Sequence, residues 1–336
     1  VQVSLRADRN WLDLAIKGVA ALLVLAAAYL AYTYISLQLS ERGSAPTSRA
    51  IQNLLSAVEE DPQNAALRVT LAEAFAAAGQ QRESQEQFAI ALELEPENPN
   101  PMIGLALLAM FQEEWGVAEE YWVAAIRELE GGQYSMVDER LERAYHQMGV
   151  TLMELGRYED AAEYLQASLR LRRTSADTHY LLAVTYRELG LLRNERSHLE
   201  SALSFDPAMP EANYDFALIV LQEGDSAGAA EHLRISADNA PRDRTEPLDK
   251  LREFGSASER LAKARELESA DPSAALTEAR IARAIDPESV DAARYVAILF
   301  EKTWDREGAL EAWGRVLKLA PGDTEAAAAM DRLNAE

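Results

Sequence analysis

Cysteine is absent from this 336-residue chain, which excludes disulfide staples, cysteine-ligated zinc and covalently attached haem. Only four histidines occur, His146, His179, His198 and His232, scattered along the chain with no His-x-x-x-His pair, so no metal site is expected. Gly131-Gly132 reads as a turn, because no Gly-x-x-x-x-Gly-Lys loop follows a strand. Catalytic residues, a cofactor and a small-molecule substrate are accordingly not expected.

Basic residues are also short: 33 Lys and Arg stand against 56 Asp and Glu, for a net charge of −23. Residues 1–49 hold Arg6, Arg9, Lys17, Arg42 and Arg49 against Asp8, Asp13 and Glu41, a balance of +2, which leaves −25 for residues 50–336. That charge repels nucleic acid and anionic head groups, so a phosphate-backbone ligand is a poor expectation. Ala, Leu, Glu, Gln and Arg dominate, all good helix formers, which favours an all-α fold.

One apolar run stands out. Gly18 to Leu37 contains no charge, and as a helix rising about 1.5 Å per residue it matches the hydrocarbon core of a bilayer. Trp11 and Lys17 flank its near end, and Tyr29, Tyr32 and Tyr34 crowd its far end, where amphipathic side chains favour the interface. A retained single-pass anchor in the inner (cytoplasmic) membrane is expected over residues 1–39, rather than a cleaved signal peptide. Pro46 follows the best small-residue site, Gly43-Ser44-Ala45, and disfavours cleavage there. Three basic residues before the span and two after it favour a cytoplasmic N-terminus and a periplasmic or extracytoplasmic remainder. Residues 40–48, with Gly43 and Pro46, read as a polar linker.

Beyond residue 49 the sequence repeats every 34 residues, in segments 65–98, 99–132, 142–175, 176–209, 210–243, 256–289 and 290–323. The seventh and eighth positions are large then small: Leu71-Ala72, Leu105-Ala106, Met148-Gly149, Leu182-Ala183, Phe216-Ala217 and Val296-Ala297. Position 20 is small in most segments, position 24 carries Phe88, Trp122, Leu165, Leu199, Leu233, Ala279 and Trp313, and position 27 is Ala or Ser in all but the last, which has Val316. That spacing puts the three positions on one face of a second helix. Gly79, Gly156, Gly190 and Gly224 fall between the two helices, where a left-handed residue is needed. Pro96, Pro207, Pro241, Pro287 and Pro321 end the segments.

The pattern resembles the tetratricopeptide-repeat family and covers about four-fifths of the chain. The resemblance implies a right-handed α-solenoid of about seven helix-turn-helix repeats, with residues 49–64 as a half-repeat and 324–336 as a capping helix. Two insertions interrupt it. Residues 133–141 include Ser135 and Asp138, a cap for a lengthened helix, and residues 244–255 read as a joint between repeats 1–5 (65–243) and repeats 6–7 (256–323). Repeat 6 has Ala262-Lys263 at the large-small pair, so its first helix is degenerate or slipped by one residue.

By the same resemblance, first helices line a partner groove. In repeats 2–5 the inward positions are Ile103, Leu107, Met110, Phe111, His146, Val150, Met153, Tyr180, Val184, Tyr214, Leu218 and Leu221. This stripe is either buried by tight curvature or open to an apolar helix or peptide of a partner. The family's carboxylate clamp needs matching Lys and Asn residues that are missing here, so an acidic chaperone tail is not the expected ligand. The expected role is a non-catalytic scaffold that recruits or stabilises subunits of a bacterial envelope complex. The alternatives are a periplasmic chaperone or assembly factor for secreted proteins or apocytochromes and, in a different class, an enzyme or cofactor carrier.

Overall fold

The computed structural model describes residues 46–132 and 135–335, which hold seventeen α-helices and one 3-10 turn and no strand. The expected span at 18–37, with Trp11, Lys17, Tyr29, Tyr32 and Tyr34, lies outside the described residues. Among those that are described, no helix is long and apolar enough to cross a membrane. The chain divides into two compact units between residues 133 and 134.

The first unit holds α1 (Pro46–Glu60), α2 (Ala65–Ala77), α3 (Gln81–Leu94), α4 (Pro99–Phe111) and α5 (Trp115–Glu130). Helix α1 begins inside the expected linker. Its first residue is Pro46, which suits a first turn because the missing N–H has no intrahelical partner there. Asn64 and Asn98 cap α2 and α4, each side chain accepting a backbone N–H of the first turn.

The second unit opens with the 3-10 turn Ser135–Val137 and continues through α6 (Glu139–Glu154), α7 (Tyr158–Leu171), α8 (Ala176–Glu188), α9 (Leu192–Phe205), α10 (Pro210–Gln222) and α11 (Ser226–Asn239). A short α12 (Glu246–Arg252) precedes α13 (Ala257–Leu267), α14 (Pro272–Ile285), α15 (Val290–Lys302), α16 (Arg306–Leu319) and α17 (Thr324–Ala335). Asp138 caps α6, accepting the Arg140 N–H at 2.8 Å, and α6 runs to 16 residues where α8 has 13. The insertion therefore extends this first helix by nearly one turn.

Packing follows the 34-residue frame. Phe88, Trp122, Leu165, Leu199, Leu233 and Trp313 at position 24 are all buried, opposite buried Ala72, Ala106, Gly149, Ala183, Ala217 and Ala297 at position 8. Small residues at position 8 let the paired helices close on the large ones, and each unit is a stack of such pairs. The left-handed turn residue is Gly79, Gly156, Gly190 or Gly224 in four repeats, but Glu113 (φ 59°) and Trp304 (φ 60°) occupy the same position in repeats 2 and 7.

Repeat 6 is slipped by one residue at the small position, where Ala264 is buried, and it has lost the large residue before it. Lys263 faces outward and pairs with Glu278, and Leu261 is the other buried residue of the helix. The joint expected at 244–255 lies inside the second unit. There α11 packs against both α12 and α14. Glu231 of α11 accepts hydrogen bonds from Arg280 (2.6 and 3.0 Å) and Arg283 (2.7 Å) of α14, while Arg234 donates to the carbonyls of Ala284 and Ile285 that end α14.

Candidate interaction groove

The first helices of repeats 3, 4 and 5 are α6, α8 and α10. Their fifth positions are His146, Tyr180 and Tyr214, and their ninth are Val150, Val184 and Leu218. With Met153 and Leu221 at position 12, all eight side chains are half-buried: the stripe of the second unit is neither filled by its own packing nor fully exposed. The sequence-predicted residues of the first unit behave differently. Ile103 and Met110 are half-buried, Leu107 is 47% exposed and Phe111 74% exposed.

Polar contacts hold the second-unit stripe in place. His146 Nδ1 lies 2.9 Å from Thr178 Oγ1, linking α6 to α8. Burial keeps the His146 pKa below its ordinary value, against the pull of Glu142 and Asp177. From α8, the Tyr180 hydroxyl donates to Asp215 Oδ2 (3.2 Å) and Arg187 Nη1 to the same oxygen (2.8 Å), linking α8 to α10. Burial, followed by the Asp215 charge, pushes the Tyr180 phenol well up, so it stays a neutral donor. Behind this network Glu195 of α9 is only 5% exposed, and burial raises its pKa although Arg187 opposes the shift. Arg244 closes the edge of the stripe, its guanidinium 5.8 Å over the Tyr214 ring and 2.9 Å from Glu211.

The stripe ends at repeats 6 and 7. Along α15 the polar side chains are already paired: Tyr295 and Lys302 with Glu268, Arg294 with Asp323, and Glu301 with Arg332 of α17.

A second pattern escaped the sequence reading. Positions 4 and 23 of one repeat meet across its two helices. Arg68 donates to Gln87 (2.9 Å), the Tyr145 and Tyr164 rings lie 6.1 Å apart, His179 meets His198 (3.0 Å), and His232 donates to the Asn213 amide oxygen (2.7 Å). Each pair is 19 residues apart, and in slipped repeat 6 the matching Arg260–Glu278 pair is 18 apart. The constant spacing is the signal that could have found them. Three of the four histidines are therefore cross-helix packing residues, two of them paired within repeat 4.

Gly224-Asp225-Ser226-Ala227-Gly228 has the Gly-x-Ser-x-Gly spacing of a hydrolase nucleophile turn, a motif that the sequence reading wrongly took to be absent. Here it joins two helices. Gly224 is the left-handed turn residue, Ser226 opens α11, and Asp225 caps it by accepting the Gly228 N–H at 2.8 Å. No strand precedes it, so the strained strand-to-helix elbow that exposes a catalytic serine is missing. Among the described residues no group of three or more His, Asp or Glu side chains is arranged to hold a metal.

Residues 140–206, which span α6 to α9, match the family model described as tetratricopeptide repeat. The BBSome complex member BBS4 of Xenopus tropicalis is 30% identical over 87 residues, 26% of this chain and 17% of that protein. The match thus spans about a sixth of that relative's length. Among solved structures, PilW, described as a widely conserved type IV pilus biogenesis factor, shares the fold with a TM-score of 0.51 at 19% identity, covering 66% of this chain and 98% of PilW. YrrB, described as a TPR protein with an unusual peptide-binding site, aligns with a TM-score of 0.48 at 19% identity over 59% of this chain and 96% of its own. The tetratricopeptide-repeat match thus covers repeats 3 and 4, about one fifth of the chain, and the helix pairs on either side of it repeat the same fold.

Proposed function

We propose that this chain is a non-catalytic protein-interaction scaffold whose second unit holds an apolar segment of a partner protein along α6, α8 and α10. One observation carries the reading: eight apolar or aromatic side chains of these first helices stay half-open while the Tyr180–Asp215–Arg187 and His146–Thr178 contacts fix the helices beneath them. A preorganised apolar stripe binds at a lower ordering cost than a mobile one. Tyr180 and Tyr214 supply large contact area with few rotatable bonds.

The apolar run at 18–37 supports a membrane-anchored version of this role, in which the scaffold is an accessory subunit of a bacterial envelope complex and the repeats are extracytoplasmic. Purification of the full chain from native membranes in mild detergent tests both parts. Membrane subunits recovered in fixed ratio, and lost with Val184→Asp plus Leu218→Asp at unchanged helical circular dichroism, are the expected outcome. Scattered substoichiometric clients indicate a transient chaperone instead, and recovery unaffected by the two substitutions overturns the groove.

A further inference from the structure

Helix α4 contains no Asp, Glu, Lys or Arg in its 13 residues. A helix apolar on all sides is ordinarily enclosed by protein. Here Leu105, Ala106, Leu108 and Ala109 are buried, yet Leu107 and Phe111 are not, with 47% and 74% of their surface in water. They stand four residues apart, so they form one ridge on one face of the helix.

The repeat frame identifies what lies beside that ridge. Helix α2 is the neighbouring first helix and packs against α4. Its residues equivalent to Leu107 and Phe111 are Glu73 and Ala77, both exposed. The ridge therefore borders a low alanine surface and a carboxylate. At its C-terminal end stand Glu113 and Glu114, both exposed, the first at the turn position that four other repeats give to glycine. Residues 46–132 carry fifteen Asp and Glu against four Arg and no Lys, a net charge of −11 around this face.

We infer that this α4 face is a second docking surface, and that its occupant is a basic amphipathic helix of a partner protein. The Leu107–Phe111 ridge and the alanine step beside it take the apolar face of such a helix, and Glu73, Glu113 and Glu114 meet the Lys and Arg that flank it. The surrounding charge selects this occupant: an anionic lipid surface, a nucleic acid or a second copy of this acidic chain would bring like charge to the same rim. The inference goes beyond the groove of the second unit and uses none of its residues, so either can fail alone.

The test uses the full chain and a fluorescein-labelled 18-residue peptide with Leu and Phe at helical spacing and Lys and Arg elsewhere, read by fluorescence anisotropy. Leu107→Ser with Phe111→Ser should weaken binding roughly tenfold or more, as loss of a central apolar anchor does. Val123→Ser removes an apolar side chain of similar exposure from α5 and should leave affinity within about twofold, as a contact away from the anchor does. Replacing the peptide's Lys and Arg by Glu should abolish binding, and raising salt from about 50 to about 300 mM should weaken it several-fold. Equal binding of the charge-reversed peptide overturns the inference. So does unchanged affinity in the Leu107/Phe111 variant with its circular dichroism intact. A dimer in analytical ultracentrifugation that the same variant dissociates would assign the face to a second copy and also overturn it.

Discussion

His179 Nδ1 lies 3.0 Å from His198 Nδ1, and the tautomers of both rings follow from their partners. His179 Nε2 faces the Arg173 carbonyl at 3.2 Å, and a carbonyl only accepts, so Nε2 carries the proton and Nδ1 is bare. His198 must then donate from Nδ1. Phe205 stacks on the first ring and Tyr186 on the second, which holds the pair in register between α8 and α9.

A pH dependence follows from this pair. Burial first, and the neighbouring His179 second, lower the His198 pKa below 6.5, whereas carboxylates oppose the same burial effect at His146 and His232. A histidine whose folded pKa is depressed binds fewer protons folded than unfolded. Its contribution is therefore full above the unfolded value and lost as pH falls from there through the folded one. Chemical denaturation at pH 7.5 and pH 5.5 should show the native chain losing more stability over that interval than His198→Gln does. Equal losses would contradict the assignment.

Glu195 makes the opposite prediction. Its folded pKa is raised, chiefly by burial, so its contribution is favourable below the unfolded value and lost as pH rises through the folded one. At pH 7 the buried carboxylate is a net cost. Ala118, Ala161, Ala229, Ala275 and Ala309 occupy the same repeat position fully buried. Glu195→Ala should raise stability at pH 7 by about 1 kcal/mol and by less at pH 4, read by thermal and urea unfolding. A loss at pH 7 would mean that pairing with Arg187 outweighs desolvation.

Gly104 sets a packing limit between repeats 1 and 2. A Cβ there would lie 2.3–2.6 Å from three ring carbons of Phe88, which is buried. Gly104→Ala should therefore destabilise by roughly 1–3 kcal/mol, although alanine is the better helix former. Phe88→Leu in the same chain should recover part of that loss by supplying the leucine that repeats 3 to 5 carry at this position. Unfolding midpoints of the two single variants and the double variant measure the coupling.

The repeat frame was legible because its signal is local and recurrent. A small residue at position 8, a large one at position 24 and glycine between them recur at a fixed period, and the buried residues follow them. A cap before α6 was legible because its role needs only the next few residues, but Asp138 itself fills it and Ser135, expected to pair with it in a capping box, opens the 3-10 turn instead. The cross-helix pairs His179–His198 and Asn213–His232 were not, since one pairing position is filled by Arg, Tyr, His or Asn and only the 19-residue spacing is shared. Asp215 was passed over for a similar reason: its partners, Tyr180 and Arg187, belong to the preceding repeat. Glu113 and Trp304 break the glycine rule for the left-handed turn, so composition alone misreads both. Trp304 is 93% exposed, and nothing in the structure explains a tryptophan there. The stripe of the second unit was found by position, but whether it was filled or open depended on side-chain packing that periodicity does not encode.

The most direct test of the central claim is site-specific photo-cross-linking from within the second-unit stripe. A photoreactive side chain at Val184 should yield one dominant cross-linked partner protein in cells, lost on Leu218→Asp, while the same probe at exposed Glu163 on α7 should yield none. No adduct from position 184, or equal adducts from 163, would contradict the assignment of α6, α8 and α10 as the binding surface.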